Sequence, residues 1–274
     1  MKHAVKSGLL FLFAVLALIP GVVRAQQSAI EVDNAPTVVG LLVGAAPDYL
    51  GSKEYKGIAA PFLKYTLDGT YQYLLLRGTE LSINLINHPS FRFGPVLNYR
   101  PERSSVENSR VDRMETIDGA IEGGAFVGFE CIDKSNPRRR FLTTLTWTAD
   151  MSGVYNGWLV TGLVRGWQPI AKQWDIGLTL SGTYGDSAYT GKYFGVDSID
   201  AIRAPFPRYN ASAGFRDVSV TPAIVYHVNQ NWHIAGGVRY MRLLGDAADS
   251  PIVDTVGSKD QFIFGAGVLY SWGK

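Results

Sequence analysis

Histidine is the side chain best suited to acid–base or metal chemistry near neutral pH, and three histidines lie beyond the first 25 residues. They are His88, His227 and His233. All three fall at or near one end of the predicted strands, and His227 and His233 flank a predicted turn at 229–231 with both side chains directed inward. A paired metal site or a pH-sensitive site is conceivable there. Two polar residues beside water in the interior is the simpler interpretation, and we favour it.

Other chemistry is not indicated by the sequence. The patterns H-x-x-E-H, C-x-x-C and G-x-S-x-G are absent, and Cys131 is the only cysteine, so no intramolecular disulfide can form. A G-x-G occurs at 265–267, but it lies inside a predicted strand with no helix after it and is therefore not a nucleotide-binding fingerprint. We predict no enzyme activity, no catalytic residue, no cofactor and no metal.

Charged side chains interrupt otherwise apolar strands, and they are predicted to face a common interior. Both signs occur, so the charges could pair and plug the interior or line a narrow aqueous path. The sequence leaves both possibilities open. The predicted inward charges are Glu80, Arg92, Arg100, Glu122, Asp175 and Arg239, with Asn98, Arg165 and Asp217 as further inward polar candidates.

The elements that position these charges are strands, because apolar residues recur with a period of two. In 261–272 the even positions are all apolar and most odd positions are small or polar, and 91–100, 173–184 and 217–228 alternate in the same way. Aromatic residues at the strand ends are typical of the girdles at membrane interfaces. Charges on the other face would be costly in a sandwich core but suit a barrel interior. The sequence therefore predicts an all-β, transmembrane, antiparallel β-barrel.

About twelve strands are predicted. The segment 71–86 could be one strand, but bacterial single-chain barrels have even strand counts, so we divide it at Arg77-Gly78. One end of the barrel then has short turns, expected in the periplasm, and the other has long loops such as 101–117 and 187–210. The tyrosine-rich loop 187–210 could contact outside partners or fold inward and occlude the pore. The predicted strands are 38–46, 57–66, 71–77, 79–86, 91–100, 118–130, 140–150, 156–168, 174–186, 211–228, 232–244 and 260–272.

The N-terminus has the pattern of a secretory signal peptide. Lys2 and Lys6 precede an apolar run at 9–19, whose 11 residues would span only about 16 Å as a helix, too short for a membrane anchor. We expect cleavage between Ala25 and Gln26, which leaves 26–274 as one barrel domain. The remaining chain has 23 basic and 24 acidic residues, so its net charge does not indicate nucleic-acid binding.

The last predicted strand resembles an assembly signal for outer-membrane barrels. Gly267, Tyr270 and Trp272 provide the glycine and the two large residues of that signal, and Gly273-Lys274 follow where an aromatic residue usually ends the chain. We predict that the barrel-assembly machinery reads Trp272.

Several segments together resemble the MipA/OmpV family of outer-membrane proteins, also called MltA-interacting proteins. The segments are PDYLGSKEY at 47–55, RGTELSINL at 77–85, GPVLNYR at 94–100, DGAIEGGAFVGF at 118–129, YFGVD at 193–197 and LLGDAADSPIV at 243–253. The resemblance implies a barrel in the outer membrane of a Gram-negative bacterium. For one member it implies a scaffold that joins a lytic transglycosylase to a penicillin-binding protein in peptidoglycan biosynthesis, and it supplies no shared catalytic residue.

Three functions follow as expectations. The resemblance favours a scaffold or adaptor, whose partners would be a lytic transglycosylase and a penicillin-binding protein. The mixed charges of the interior would suit a narrow channel for small polar solutes, and the long outer loops would suit a surface adhesin. Lipid and the assembly machinery are the other expected partners.

Overall fold

The computed structural model describes residues 37–272, in which twelve antiparallel strands close into a barrel. Each strand pairs with its neighbours in the chain, and β12 pairs with β1. The predicted cleavage site at Ala25 and Gln26 and the terminal Gly273-Lys274 lie outside the described residues. The strands are β1 (Thr37–Pro47), β2 (Tyr55–Thr66), β3 (Tyr73–Arg77), β4 (Glu80–Asn84), β5 (Phe91–Arg100), β6 (Ala120–Ile132), β7 (Arg140–Asp150), β8 (Trp158–Ala171), β9 (Trp174–Gly185), β10 (Gly214–His227), β11 (Trp232–Leu243) and β12 (Asp260–Trp272).

The predicted fold class and strand number are confirmed, and so is the division near Gly78. Gly78 has a positive φ of 61° and turns the chain between β3 and β4. Most strand ends lie within about two residues of the prediction. The largest differences are of three residues: β8 ends at Ala171 and not at 168, and β10 begins at Gly214 and not at 211, because loop 186–213 is longer than predicted.

The two ends of the barrel differ in their connections. One end has the turns 67–72, 85–90, 133–139, 172–173 and 228–231, and the other has the longer loops 101–119, 186–213 and 244–259. Because bacterial barrels combine short periplasmic turns with long extracellular loops, the first end faces the periplasm and the second faces outward.

Outer loops 186–213 and 244–259 contain short helices that the sequence did not predict: α1 (Ser187–Phe194), α2 (Ser198–Arg203), α3 (Gly245–Ala248) and α4 (Pro251–Asp254). Asp186 caps α1 by accepting from the Tyr189 amide, and Asp197 caps α2. Loop 101–119 adds a 3₁₀ turn at Val111–Arg113. None of the helices in residues 37–272 is long and apolar enough to cross a membrane.

Two groups of buried apolar side chains lie at different heights. The outer group, which we call the cap, joins the outer loops over the mouth of the barrel and includes Tyr155, Tyr189, Phe194, Phe206 and Ile252. The inner group fills the periplasmic half of the barrel interior. Its members include Val38, Leu42, Phe62, Leu75, Trp167, Val225 and Leu269.

Candidate functional site

A polar cavity of about 160 Å³ lies between the cap and the apolar filling. Its lining comes from the outer halves of several strands and from loops 48–54, 101–119 and 186–213. This cavity holds most of the charges that the sequence placed inside the barrel. The charged and amide groups around it include Glu80, Asn98, Arg100, Glu122, Arg216 and Arg239.

Glu122 is the centre of the hydrogen-bond network on one wall of the cavity. Its carboxylate accepts from Arg100 Nε at 2.5 Å, from Asn98 Nδ2 at 2.8 Å and from the Tyr155 hydroxyl at 2.8 Å. Only 1% of Glu122 is exposed. A buried carboxylate is stable when a cation and further donors satisfy it, and these three partners meet that requirement.

Helix α1 places two tyrosines over this network. The Arg100 guanidinium lies 5.0 Å from the ring centroid of Tyr189 and 5.5 Å from that of Tyr193. Arg216 donates to the Tyr189 hydroxyl at 2.8 Å and to Asp217 at 2.6 Å. Burial raises the pKa of Tyr193 well above its usual range, so its hydroxyl stays neutral. Of the two alternatives left open for loop 187–210, the structure has the loop folded inward.

The remaining predicted inward charges are also buried or half-buried, and each has partners. Glu80 pairs with Arg77 at 2.7 Å in the outer half. Arg239 donates to Ser219 and lies 3.8 Å from Asp217. Arg165 is deeper and donates to Thr179. Arg92 pairs with Glu130 and Asp175 with Arg138, both at the periplasmic end.

The two histidines form part of a hydrogen-bonded chain at the periplasmic end. The Nδ1 atoms of His227 and His233 lie 2.8 Å apart. His227 Nε2 lies 2.7 Å from Asp175, and His233 Nε2 lies 2.9 Å from the Ser271 hydroxyl. Within residues 37–272 no group of three or more His, Cys, Asp or Glu side chains is arranged to hold a metal ion. His88 lies apart in turn 85–90, where it accepts from backbone amides.

Comparison with known proteins decides the family. Residues 39–272 match the sequence model of MltA-interacting protein MipA. The chain belongs to this family. Outer membrane protein OmpV from Vibrio cholerae serotype O1 is 38% identical over 88 residues, a match that covers 32% of each chain. The NanC porin is only 9% identical but shares the fold, with a TM-score of 0.50 over 85% of this chain and 100% of its own.

The fold and the family together locate this MipA-family protein in the outer membrane. Lipid therefore surrounds the outward face of the strands. Tyr270 and Trp272 lie on that face, and the Tyr270 ring packs against Trp232 with centroids 4.9 Å apart. Gly267 lies in the same strand and pairs with Leu42 of β1. The role of Gly267, Tyr270 and Trp272 as an assembly signal stays a prediction.

Several residues of this network were missed from the sequence. Arg216 is one of them: it is buried beside Asp217, which was predicted to face inward, because the register shifts between Phe215 and Asp217 and strict alternation fails there. Arg138 and Tyr155 lie in connections, where a period of two gives no information. One signal could have indicated the buried Arg216: two opposite charges, Arg216 and Asp217, are adjacent in a strand that otherwise alternates.

Proposed function

We propose that this MipA-family protein is a non-enzymatic adaptor that holds murein-remodelling enzymes at the inner face of the outer membrane. The partners would be a lytic transglycosylase and a penicillin-binding protein. The family's description, MltA-interacting protein, supports the first partner. The main support for the proposal is the filled interior of the barrel. Because solutes have no open path through it, a partner would bind at the surfaces of the barrel.

The interior favours an adaptor over a channel for a physical reason. Phe62, Leu75, Trp167 and Leu269 pack together across the periplasmic half of the barrel, and the cap packs across the outer end. A polar solute would have to displace close-packed apolar side chains to pass. The alternative of a narrow channel therefore requires a large rearrangement of both groups. An adhesin would use the outer surface of the cap.

The periplasmic surface offers one basic region for a partner. Lys134 in turn 133–139 and Lys172 in turn 172–173 are both exposed. The guanidinium of Arg138 donates to the Lys172 and Ala171 carbonyls, which fixes the two turns beside each other. A standard interface buries about 800 Å² per partner, more than short turns supply, so charge complementarity would have to steer and orient the complex.

The test measures binding of the purified full chain in detergent micelles to a soluble lytic transglycosylase of the MltA type. We expect the double variant Lys134→Glu/Lys172→Glu to bind at least ten-fold more weakly than the wild type at low ionic strength. Lys53→Glu, in outer loop 48–54, is the matched charge reversal and should bind as the wild type does. An absence of wild-type binding, or equal losses in both variants, would contradict the adaptor proposal.

Planar-bilayer recordings separate the adaptor from the channel. We expect no stable conductance from the wild type, because the two packed groups close the interior. A steady conductance under these conditions would favour the channel.

A further inference from the structure

The barrel wall is incomplete in its outer half, beside hairpin β3–β4. Each strand of this hairpin has five residues, whereas β2 has twelve. The pairing between β2 and β3 ends at Phe62 and Arg77, and the hairpin top is attached by the Gly78 amide to the Pro61 carbonyl. Beyond it, residues 55–60 of β2 pair with β1 on one side, and no described strand pairs with their other side.

The gap has a defined frame. Gly78 and Thr79 form its lower edge, and the Thr79 carbonyl accepts from the Tyr99 amide of β5. At its upper edge loop 101–119 crosses to β2, because Lys56 Nζ donates to the Ser105 carbonyl at 3.0 Å. Three strand spacings separate β2 from β5, so the gap is roughly 14 Å wide. We call this opening the window.

The window leads to the polar cavity. Thr79, Glu80, Asn98 and Tyr99 all line that cavity, and Tyr99 belongs to the outward face of β5. The side chains of Phe93, Leu97 and Tyr99 on this face are 43–48% exposed, as expected of residues that contact lipid. The lining of the cavity therefore reaches Tyr99, a residue whose side chain lies on the lipid-facing side of the wall.

An open sheet edge at membrane depth is stable only where it meets water or other polar groups, because hydrocarbon leaves its backbone groups unsatisfied. The edge of the window on β2 is therefore polar, because it presents backbone groups, and the edge on β5 is apolar, because it presents Leu97 and Tyr99. The cavity behind it has the volume of about five water molecules. That space admits a carboxylate or phosphate group and excludes a disaccharide head group.

The charges that line the cavity balance, because Asp48, Glu80, Glu102 and Glu122 line it together with four arginines, so the case for an anion depends on one of these arginines, Arg103. Arg100 and Arg216 have close carboxylates in Glu122 and Asp217. Arg103, at the window's edge, is 8% exposed, and its side chain donates to the Tyr193 carbonyl at 3.3 Å. Among the described residues no carboxylate lies within ion-pair distance of Arg103. Asp200 is the acid with the largest electrostatic effect on Arg103, but it does not contact the guanidinium, which therefore retains donors for a second anion.

We propose that the window and its cavity bind a single-chain amphiphile with a small anionic head, such as a long-chain fatty acid. The head group enters the cavity and pairs with Arg103, and the acyl chain stays outside against Leu97 and Tyr99 in the outer leaflet. This site is separate from the periplasmic surface of the adaptor, so either proposal can fail without the other.

Equilibrium binding of radiolabelled hexadecanoate at pH 8, to the full chain immobilised in detergent, tests the head-group contact. We expect the wild type to bind hexadecanoate saturably at one site. Arg103→Gln should bind it at least ten-fold more weakly, and Arg103→Lys should recover part of the affinity. Arg113→Gln is the control, because Arg113 is an exposed arginine of the same loop, and it should bind as the wild type does. Hexadecyl phosphate should compete and hexadecanol should not. Equal binding by the two glutamine variants, or effective competition by hexadecanol, would overturn the proposal.

Photocrosslinking tests the route on the wild-type chain and does not depend on the folding of any variant. A hexadecanoate with a diazirine near its methyl end, added to the protein in phosphatidylcholine vesicles, should label peptides that contain Leu97 and Tyr99 or residues 57–61. Excess hexadecanoate should suppress this labelling. Labelling spread evenly over all twelve strands would show that the chain only dissolves in the surrounding lipid, and would overturn the window.

Discussion

The Tyr155 hydroxyl donates to Oε1 of Glu122 at 2.8 Å, and this bond attaches outer loop 151–157 to the wall of the barrel. The carboxylate is buried and depends on three donors, so we expect each of them to contribute to stability. Tyr155→Phe removes one hydrogen bond to a charged group and should cost about 1.5–3 kcal/mol. Glu122→Ala leaves the buried Arg100 without its carboxylate and should cost roughly 3–5 kcal/mol.

The measurement is the temperature at which the folded band disappears in heat-modifiability gels. Tyr65→Phe is the control, because Tyr65 is 48% exposed at the other end of the barrel. We expect the order wild type, Tyr65→Phe, Tyr155→Phe and Glu122→Ala, with the first two equal. Equal stability of Tyr155→Phe and Tyr65→Phe would mean that the cap does not depend on this contact.

Neighbouring residues at the middle of β7 test the two faces of the wall. Leu145 is outward and 53% exposed, whereas Thr146 lines the polar cavity. An arginine on the lipid face at mid-membrane costs roughly 2–4 kcal/mol and an acid somewhat less. We expect Leu145→Glu to lower the amount of assembled barrel and Thr146→Glu to lower it less, as measured in outer-membrane fractions. A greater loss of assembled barrel in Thr146→Glu than in Leu145→Glu would mean that the inward and outward faces of β7 are wrongly assigned.

The contact between the two histidines can be measured as a coupling energy. His227→Phe removes the contacts with His233 and Asp175, and His233→Phe removes those with His227 and the Ser271 hydroxyl, so each should cost about 1–3 kcal/mol. The double variant removes both rings of the polar pair at once, so its cost should be smaller than the sum of the two. A double-mutant cycle on unfolding in urea measures the difference. Additive costs would show that the 2.8 Å contact contributes nothing.

The strands were predictable because each has one apolar face against lipid and one mixed face inside, which gives β9 and β12 an unbroken period of two. The division between β3 and β4 was predicted from the expected even number of strands, because the pattern of 71–86 alone is that of a single strand. The helices were not predictable in this way. Helices α1 and α2 have eight and six residues, too few to be stable alone, and they form because Asp186 and Asp197 cap them and the cap buries Tyr189 and Phe194.

The candidate site was predicted in composition but not in arrangement. The inward charges Arg100, Glu122 and Arg239 follow from alternation within their strands. Their partners do not, because Tyr155 comes from a loop and Arg216 from a register shift. The sequence also could not reveal the window, which depends on how far β2 and β5 extend past the hairpin.

The final prediction concerns the end of β12. Trp272 is outward and 43% exposed, and its backbone pairs with Thr37 at the seam where β12 meets β1. Its indole suits the membrane interface, because the ring can be buried while the N–H remains near water.

Trp272→Asp places a charge at this point and should lower the amount of folded protein in the outer membrane and raise its degradation in the periplasm. Deletion of Gly273 and Lys274 should change neither, because a lysine near a membrane interface is tolerated there without being required. Heat-modifiability gels of outer-membrane fractions, with immunoblots of the periplasm, compare the two. If the deletion harms assembly more than Trp272→Asp does, the machinery reads the last two residues and not Trp272.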